Sequence, residues 1–187
     1  IETMLVIKLT LLVLGTIGFV WVSRAALQDA KSHGFYRFFA WELILILFVL
    51  NMDYWFMDPF SLRQILSWIA LFLSLPLVIM GVKLFLQKGK IDRERQAPDL
   101  FGFEKTTELV TTGIYHYIRH PFYSSLLFLA WGIFLKHFSW ISFLLITAVT
   151  IFLVLTAKRE EMENMAYFGE DYQVYMQNTK MFIPFIL

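Results

Sequence analysis

Two short stretches of this chain hold side chains that could do chemistry together. Arg119, His120 and Tyr123 lie within "IRHPFY", and the adjacent carboxylates Glu160 and Glu161 follow later in "KREEMENMAYFGEDY". Arginine binds carboxylates and phosphates through charge-assisted hydrogen bonds, while paired carboxylates accept hydrogen bonds from hydroxyl groups. These residue types suit a ligand that carries both charges and hydroxyls.

Each stretch also has a plainer interpretation. Basic residues can anchor a helix at lipid headgroups, Tyr123 can be an interfacial aromatic, and adjacent acids can lie on a solvated helix face. The residues between 97 and 115, which include Glu104, can be an ordinary loop. On the residues alone, these alternatives stay open.

Several familiar sites are missing from the sequence. It contains no GxGxxG after a strand, no GxxxxGK[ST], no HExxH and no GxSxG. The four histidines are scattered and cysteine is absent, so no metal site is expected. The net charge of +1 provides no basic field for nucleic acid.

Composition predicts an all-α integral membrane protein. Hydrophobic residues make up 58% and charged residues 17%, against about 45–50% and about 25% in soluble domains. Apolar runs long enough to cross roughly 30 Å of hydrocarbon predict five transmembrane helices. The predicted spans are Met4–Val22, Phe38–Phe56 and Leu62–Leu86, kinked at Pro76, followed by a helical hairpin that turns at Lys136–Ser139.

We treat 4–187 as a single domain and leave residues 1–3, which precede the first methionine, outside it. Its predicted parts are three N-terminal spans (4–86), a cytoplasmic loop (87–121), the hairpin (122–157) and a cytoplasmic tail (158–187) that forms the site together with the loop.

Lysines and arginines concentrate in 23–37, in 87–121 and in the tail, so the positive-inside rule places these segments in the cytoplasm. The N-terminus and the hairpin tip are then expected outside, with Lys136 reachable there and the C-terminus inside.

The predicted hairpin brings the two polar stretches together. Pro121 is tolerated in the first turn of a helix, so the fourth span is expected to begin there, with Arg119 at its mouth. We expect Arg119 to meet the two glutamates, because both groups sit at the cytoplasmic ends of the hairpin. Adjacent residues of a helix point about 100° apart. We therefore expect Glu161 to face the ligand, and Glu160 to join it or to pair with a basic residue.

The order "GIYHYIRHPFY", a helical hairpin, "REEMENMAYFGEDYQVYM" and "FIPFI" resembles the isoprenylcysteine carboxyl methyltransferases. Their wider group includes phospholipid N-methyltransferases and methanethiol S-methyltransferases. The resemblance implies an enzyme that binds S-adenosyl-L-methionine at the cytoplasmic mouth of the last two helices and releases S-adenosyl-L-homocysteine. The cofactor-binding positions it implies are Leu109, Val110, Gly113, Ile114, Tyr115, His120, Tyr123, Glu160 and Glu161. The candidate catalytic residues are Arg119, Glu161 and Glu104, the last for a role at the acceptor side.

The resemblance leaves the methyl acceptor open. A small or lipophilic carboxylate, thiol or amine is expected, entering sideways from membrane lipid, with no metal and no nucleic acid involved. Two alternatives remain. Membrane sterol reductases carry a similar Arg-His-Pro-x-Tyr segment but bind NADPH, whose extra phosphate favours a denser basic cluster than Arg119, Lys158 and Arg159 provide. A non-enzymatic membrane scaffold would bind no cofactor.

Overall fold

The computed structural model describes residues 2–88 and 107–184. Its helices are α1 (Glu2–Ser23), α2 (His33–Asn51), α3 (Leu62–Lys88), α4 (Pro121–Phe134), α5 (Trp140–Phe168) and α6 (Glu170–Asn178), joined by short 3₁₀ turns. Across these two ranges there are no strands, only one isolated bridge between Ile118 and Lys180. The expected all-α fold is confirmed.

Four helices, α1, α2, α3 and α5, are long and apolar enough to cross a membrane, and α4 is a shorter apolar helix. This is a multi-pass membrane protein. At 14 residues and about 1.5 Å per residue, α4 is shorter than a full span. Close packing against α3 supports it: the Ser67 hydroxyl donates to the Gly132 carbonyl at 2.7 Å. A β-carbon on Gly132 would lie only 2.8 Å from Leu71 Cγ, so glycine permits this approach.

Two predicted boundaries are corrected. α2 begins at His33 rather than Phe38, because the Ser32 hydroxyl accepts a hydrogen bond from the Phe35 amide and caps the helix. α5 continues past Ala157 to Phe168, so the predicted border between hairpin and tail falls inside a helix. The stretch after Ala157 is rich in good helix formers and contains no glycine or proline before Gly169. Both glutamates therefore stand on a rigid helix.

The expectation that Lys136 is exposed at the hairpin tip is wrong. Its side chain is fully buried, because the α4–α5 turn folds against the start of α3. The Nζ atom donates to Gln64 Oε1 at 3.0 Å and lies 3.7 Å from the centroid of the Trp68 ring. Two aromatic side chains near this turn have different surroundings. Tyr54 stacks on His137 at 3.7 Å, whereas Phe56 stays exposed.

The apolar core lies where α2, α4 and α5 meet. It contains Leu47, Ile133, Ile146, Leu153 and, from the tail, Phe182, all nearly inaccessible. The helix α1 lies outside this core and contacts α2. At that contact the Thr16 hydroxyl donates to Glu42 Oε2 at 2.9 Å, and Lys8 pairs with Asp53. The apolar core therefore fixes the start of α4 in position relative to the later part of α5.

Candidate functional site

A buried ionic cluster joins the start of α4 to α5. Arg119 Nε donates to Glu161 Oε1 at 2.7 Å, and His120 Nε2 lies 3.3 Å from the same oxygen. The side chains of Arg119 and Glu161 are 9% and 7% exposed. The predicted meeting of Arg119 with the glutamate pair is therefore present. Since breaking a buried pair leaves an uncompensated charge, this cluster holds both basic side chains in fixed positions.

Glu160 has different surroundings from its neighbour. Its side chain is 23% exposed, and its Oε2 lies 3.7 Å from His120 Nδ1. It lines a small pocket at the mouth of α4, whereas Glu161 is not among the lining residues. In this structure Glu160 faces the pocket and Glu161 does not, because successive residues on α5 point about 100° apart and Glu161 turns toward Arg119.

Aromatic side chains form most of the wall of this pocket. Phe85 of α3 stacks on Phe122 with ring centroids 5.8 Å apart, and His120 stacks on Tyr123 at 5.4 Å. The space they leave is about 20 Å³, enough for about one water molecule. The complete lining is Phe85, Tyr115, Arg119, His120, Phe122, Tyr123 and Glu160.

The tail closes over the segment that carries Arg119 and His120. The Arg119 amide donates to the Lys180 carbonyl at 2.8 Å, and the His120 amide donates to the Met181 carbonyl at 3.2 Å. The Ser124 hydroxyl donates to the Phe182 carbonyl at 2.8 Å. Main-chain pairing of this kind fixes the backbone at the helix mouth, so the tail is part of the site.

The helix α6 contacts the segment that precedes α4. The Tyr175 hydroxyl donates to the Tyr115 carbonyl at 2.7 Å. Burial raises the pKa of Tyr175, and burial together with the Glu160 charge raises the pKa of Tyr172. Both phenols therefore keep their protons at neutral pH, and Tyr175 stays a hydrogen-bond donor.

Residues 69–170 match the family model described as phospholipid methyltransferase. The match covers just over half of the chain and runs from α3 through α5. The chain belongs to the phospholipid methyltransferase family. Comparison with curated proteins and with solved structures gave no match.

The family assignment confirms the resemblance noted in the sequence and makes the chain a membrane methyltransferase. The matched range contains the small pocket and its ionic cluster, while the closing tail segment lies beyond it.

The structure brings some of the predicted cofactor positions into the pocket and leaves others beside it. Tyr115, His120, Tyr123 and Glu160 line it, as does Arg119. The remaining predicted positions that the structure describes do not line the pocket: Leu109, Val110, Gly113, Ile114 and Glu161. Glu104 lies outside the described residues. The roles assigned to all these residues stay predictions.

The backbone before the pocket has one turn that favours glycine. Gly113 begins a 3₁₀ turn that ends at His116, with φ of +65°. A β-carbon there would lie 2.7 Å from Leu84 Cδ1, so the Leu84 side chain would have to shift. Glycine adopts this left-handed backbone angle without the steric cost that a side chain adds.

Sequence reasoning missed two groups in the site. Phe85 and Phe122 are part of ordinary apolar runs, and no signal in their spacing separates them from other span residues. The carbonyls of Lys180 and Met181 belong to the backbone, which sequence patterns do not single out. Among the described residues, no cluster of three or more histidine, aspartate or glutamate side chains is placed to hold a metal.

Proposed function

We propose that this membrane methyltransferase uses S-adenosyl-L-methionine and transfers its methyl group to a small or lipophilic carboxylate, thiol or amine. The observation that carries the proposal is the buried contact of Arg119 with Glu161 beside a pocket that Glu160 faces. It places a cation, an acid and aromatic rings at one helix mouth within the matched range.

The chemistry of the residues suits this cofactor. Arg119 could bind its carboxylate and Glu160 its ribose hydroxyls or amino group, while the rings of Tyr115 and Tyr123 could face the sulfonium or the adenine. The pocket volume of about 20 Å³ is far below the roughly 300 Å³ at which ligand sites begin. Binding therefore requires the lining side chains to move apart, starting from the stacked rings.

When bound, S-adenosylmethionine supplies a methyl group already activated on sulfur, so the protein mainly has to align donor and acceptor. The ionic cluster orients Arg119, and the aromatic wall excludes water. A carboxylate acceptor needs no base. An amine or thiol acceptor must lose a proton, and Glu160 Oε2 and His120 Nδ1 are the two titratable atoms placed to receive it.

We place the site on the cytoplasmic face, with the N-terminus outside and the C-terminus inside. This orientation rests on the distribution of lysines and arginines in the loops. An acceptor like isoprenylcysteine fits an entry from lipid, as do other lipophilic molecules. A nicotinamide cofactor is not favoured, because the matched family is one of methyltransferases.

Thermal unfolding of the purified protein with S-adenosylhomocysteine, S-adenosylmethionine or NADPH tests the proposal. At 100 times its dissociation constant, S-adenosylhomocysteine should add about 2.7 kcal/mol to the unfolding free energy, and NADPH should add nothing. The variant Glu160→Gln is the matched comparison: if it binds about tenfold more weakly, it should lose about half of this effect, about 1.3 kcal/mol. A shift with NADPH but none with S-adenosylhomocysteine would overturn the proposal.

A further inference from the structure

A large apolar cavity lies between the membrane-spanning helices. Its volume is about 660 Å³, well within the range of ligand sites. Apart from the indole N–H groups of three tryptophans, the one lining residue with a polar side chain is Ser74, whose hydroxyl donates to the Leu71 carbonyl at 2.6 Å. The lining is Phe19, Trp41, Ile44, Leu45, Phe48, Trp55, Trp68, Leu71, Phe72, Ser74, Leu75, Leu126, Leu129 and Ile133.

Lys136 holds the end of this cavity that lies farthest from the small pocket. The rings of Trp55 and Trp68, both in the cavity wall, lie 5.0 and 3.7 Å from its Nζ. An ammonium over two indole faces is attracted to both of them, more strongly when it is shielded from water. Gln64 accepts a hydrogen bond from Nζ and donates one to the Tyr54 carbonyl at 3.0 Å. These two bonds attach Lys136 to the turn after α2.

Among the described residues, no carboxylate pairs with Lys136. A buried ammonium is expensive unless something in the protein satisfies it, and here the two rings and the Gln64 amide do so. We call Trp55, Trp68 and Lys136 the end wall. The contacts of Lys136 with both rings and with Gln64 brace this surface, unlike the single exposed aromatic side chains elsewhere on the spans.

One face of α4 connects the small pocket to this cavity. Phe122 lines the pocket, and Leu126, Leu129 and Ile133 line the cavity. Their spacing of four, three and four residues places them on one side of the helix. Moving along that side from Phe122 leads away from the ionic cluster and toward the end wall.

We propose that the cavity holds a single hydrocarbon chain of the methyl acceptor and that the end wall sets the longest chain that fits. This inference rests on the proposed function, since it takes the reacting group to lie at the small pocket. Within a membrane the cavity is surrounded by lipid, and its lining is apolar. A hydrocarbon chain is therefore the ligand that suits it. At about 30 Å³ per group, the share of one water molecule in the liquid, 660 Å³ holds about twenty methylene-sized groups.

Selection by length follows from packing. Lipid tails are as apolar as the cavity, so transfer from the bilayer contributes little preference. A chain that already reaches the end wall can lengthen only by displacing that wall or by leaving the cavity, which is partly open at Phe72 and Leu75. Overpacking against a rigid wall weakens binding by roughly tenfold. The contacts of Lys136 with the two rings and with Gln64 make the end wall hard to displace.

The test measures the thermal stability of the detergent-purified protein, without cofactor, against lysophospholipids of increasing saturated chain length. For the native protein, stabilisation should rise with length and then fall about tenfold in apparent affinity beyond a limit. Trp68→Leu should move that limit to longer chains. Trp131→Leu is the control, because Trp131 lies on α4, is 40% exposed and does not line the cavity.

Absence of a limit, or the same limit in Trp68→Leu as in the native protein, would overturn the proposal. So would an equal displacement in Trp131→Leu. Should Trp68→Leu not fold, Lys136→Met leaves both rings in place, removes their ammonium and should make the limit less sharp; an unchanged limit there also overturns it. The S-adenosylhomocysteine experiment is separate, so a failure of the proposed function is distinguishable from a failure of the end wall.

Discussion

Glu160 and Glu161 are neighbours in the chain, yet their carboxylates meet different surroundings. Glu161 is 7% exposed and shared between Arg119 and His120, whereas Glu160 is 23% exposed and faces the small pocket. Glu161 is therefore placed to hold the two basic side chains, and Glu160 is the acid that lies open to the pocket.

Replacing Glu161 with glutamine should affect stability and binding together. The change keeps the shape but removes the charge that holds Arg119, and breaking a buried pair costs on the order of 3 kcal/mol. Cofactor binding or turnover should fall at least about tenfold, or about 1.4 kcal/mol. Thermal unfolding and calorimetry measure the two effects. Glu170→Gln, at an exposed position on α6, is the control and should change neither. Unchanged binding and turnover in Glu161→Gln would show that the assignment is wrong.

The change Glu160→Gln should separate these two effects. Because Glu160 is partly exposed and its oxygen is 3.7 Å from His120, its loss should leave the melting temperature within about 2 °C. Binding of S-adenosylhomocysteine should weaken about tenfold, from the loss of a charge-assisted hydrogen bond. Isothermal calorimetry measures this. A large loss of stability with normal binding would mean that Glu160 is structural and Glu161 faces the ligand.

At the scale of elements, the tail is attached to the mouth of α4 by main-chain hydrogen bonds and by one ring. Phe182 is 2% exposed and belongs to the core, although it lies only a few residues from the end of the sequence. Phe182 therefore packs onto the protein, in the part of this final segment that the structure describes. Residues 185–187 lie outside the described residues.

Phe182→Ala should therefore destabilise the protein by about 3–5 kcal/mol and weaken cofactor binding, since the Met181 and Lys180 carbonyls would lose their fixed positions. Val174→Ala, on an exposed face of α6, is the control and should cost less than about 0.5 kcal/mol. Thermal unfolding with and without S-adenosylhomocysteine measures both. Native stability in Phe182→Ala would contradict the role given to the tail.

The hairpin turn carries a prediction about pH. Burial lowers the pKa of Lys136 from 10.5 to about 8, and the indole faces oppose that shift by favouring the charged form. Between these two values the unfolded chain holds the proton and the folded chain does not. Stability should therefore rise as pH increases from about 8 toward 10.5.

Thermal unfolding across this pH range, compared between the native protein and Lys136→Met, isolates the contribution of Lys136, since the other titratable groups are common to both. The difference in melting temperature between the two proteins should change with pH in favour of the native protein. A difference that stays constant would mean that Lys136 has an ordinary pKa.

At the scale of the whole molecule, the open question is orientation, and the absence of cysteine makes it directly testable. Lys136 cannot report on it because its side chain is buried. Phe60, in the turn between α2 and α3, is 90% exposed, and Glu170 is exposed on α6. The variants Phe60→Cys and Glu170→Cys therefore each present one accessible thiol. A membrane-impermeant maleimide on intact cells should label the first, and the second only after permeabilisation. The opposite pattern would invert the proposed orientation.

Much of the architecture was predictable from sequence because the membrane restricts the choices. A backbone in hydrocarbon must satisfy its own hydrogen bonds, so long apolar runs become helices. Pro121 is at the first position of α4, as its missing amide predicts. The meeting of Arg119 with Glu161 followed from the hairpin, whose two ends return to the same side.

Tertiary structure alone decided the rest, because those features depend on partners far away in the chain. The burial of Lys136 needed Trp68 and Gln64 from the start of α3. The separate surroundings of Glu160 and Glu161 depended on α5 continuing as one helix against the mouth of α4. The order of the spans along the sequence predicts which groups reach the same side of the bilayer. Only packing, which acts over a few ångströms between distant segments, decided which of them are buried, paired or left facing a pocket.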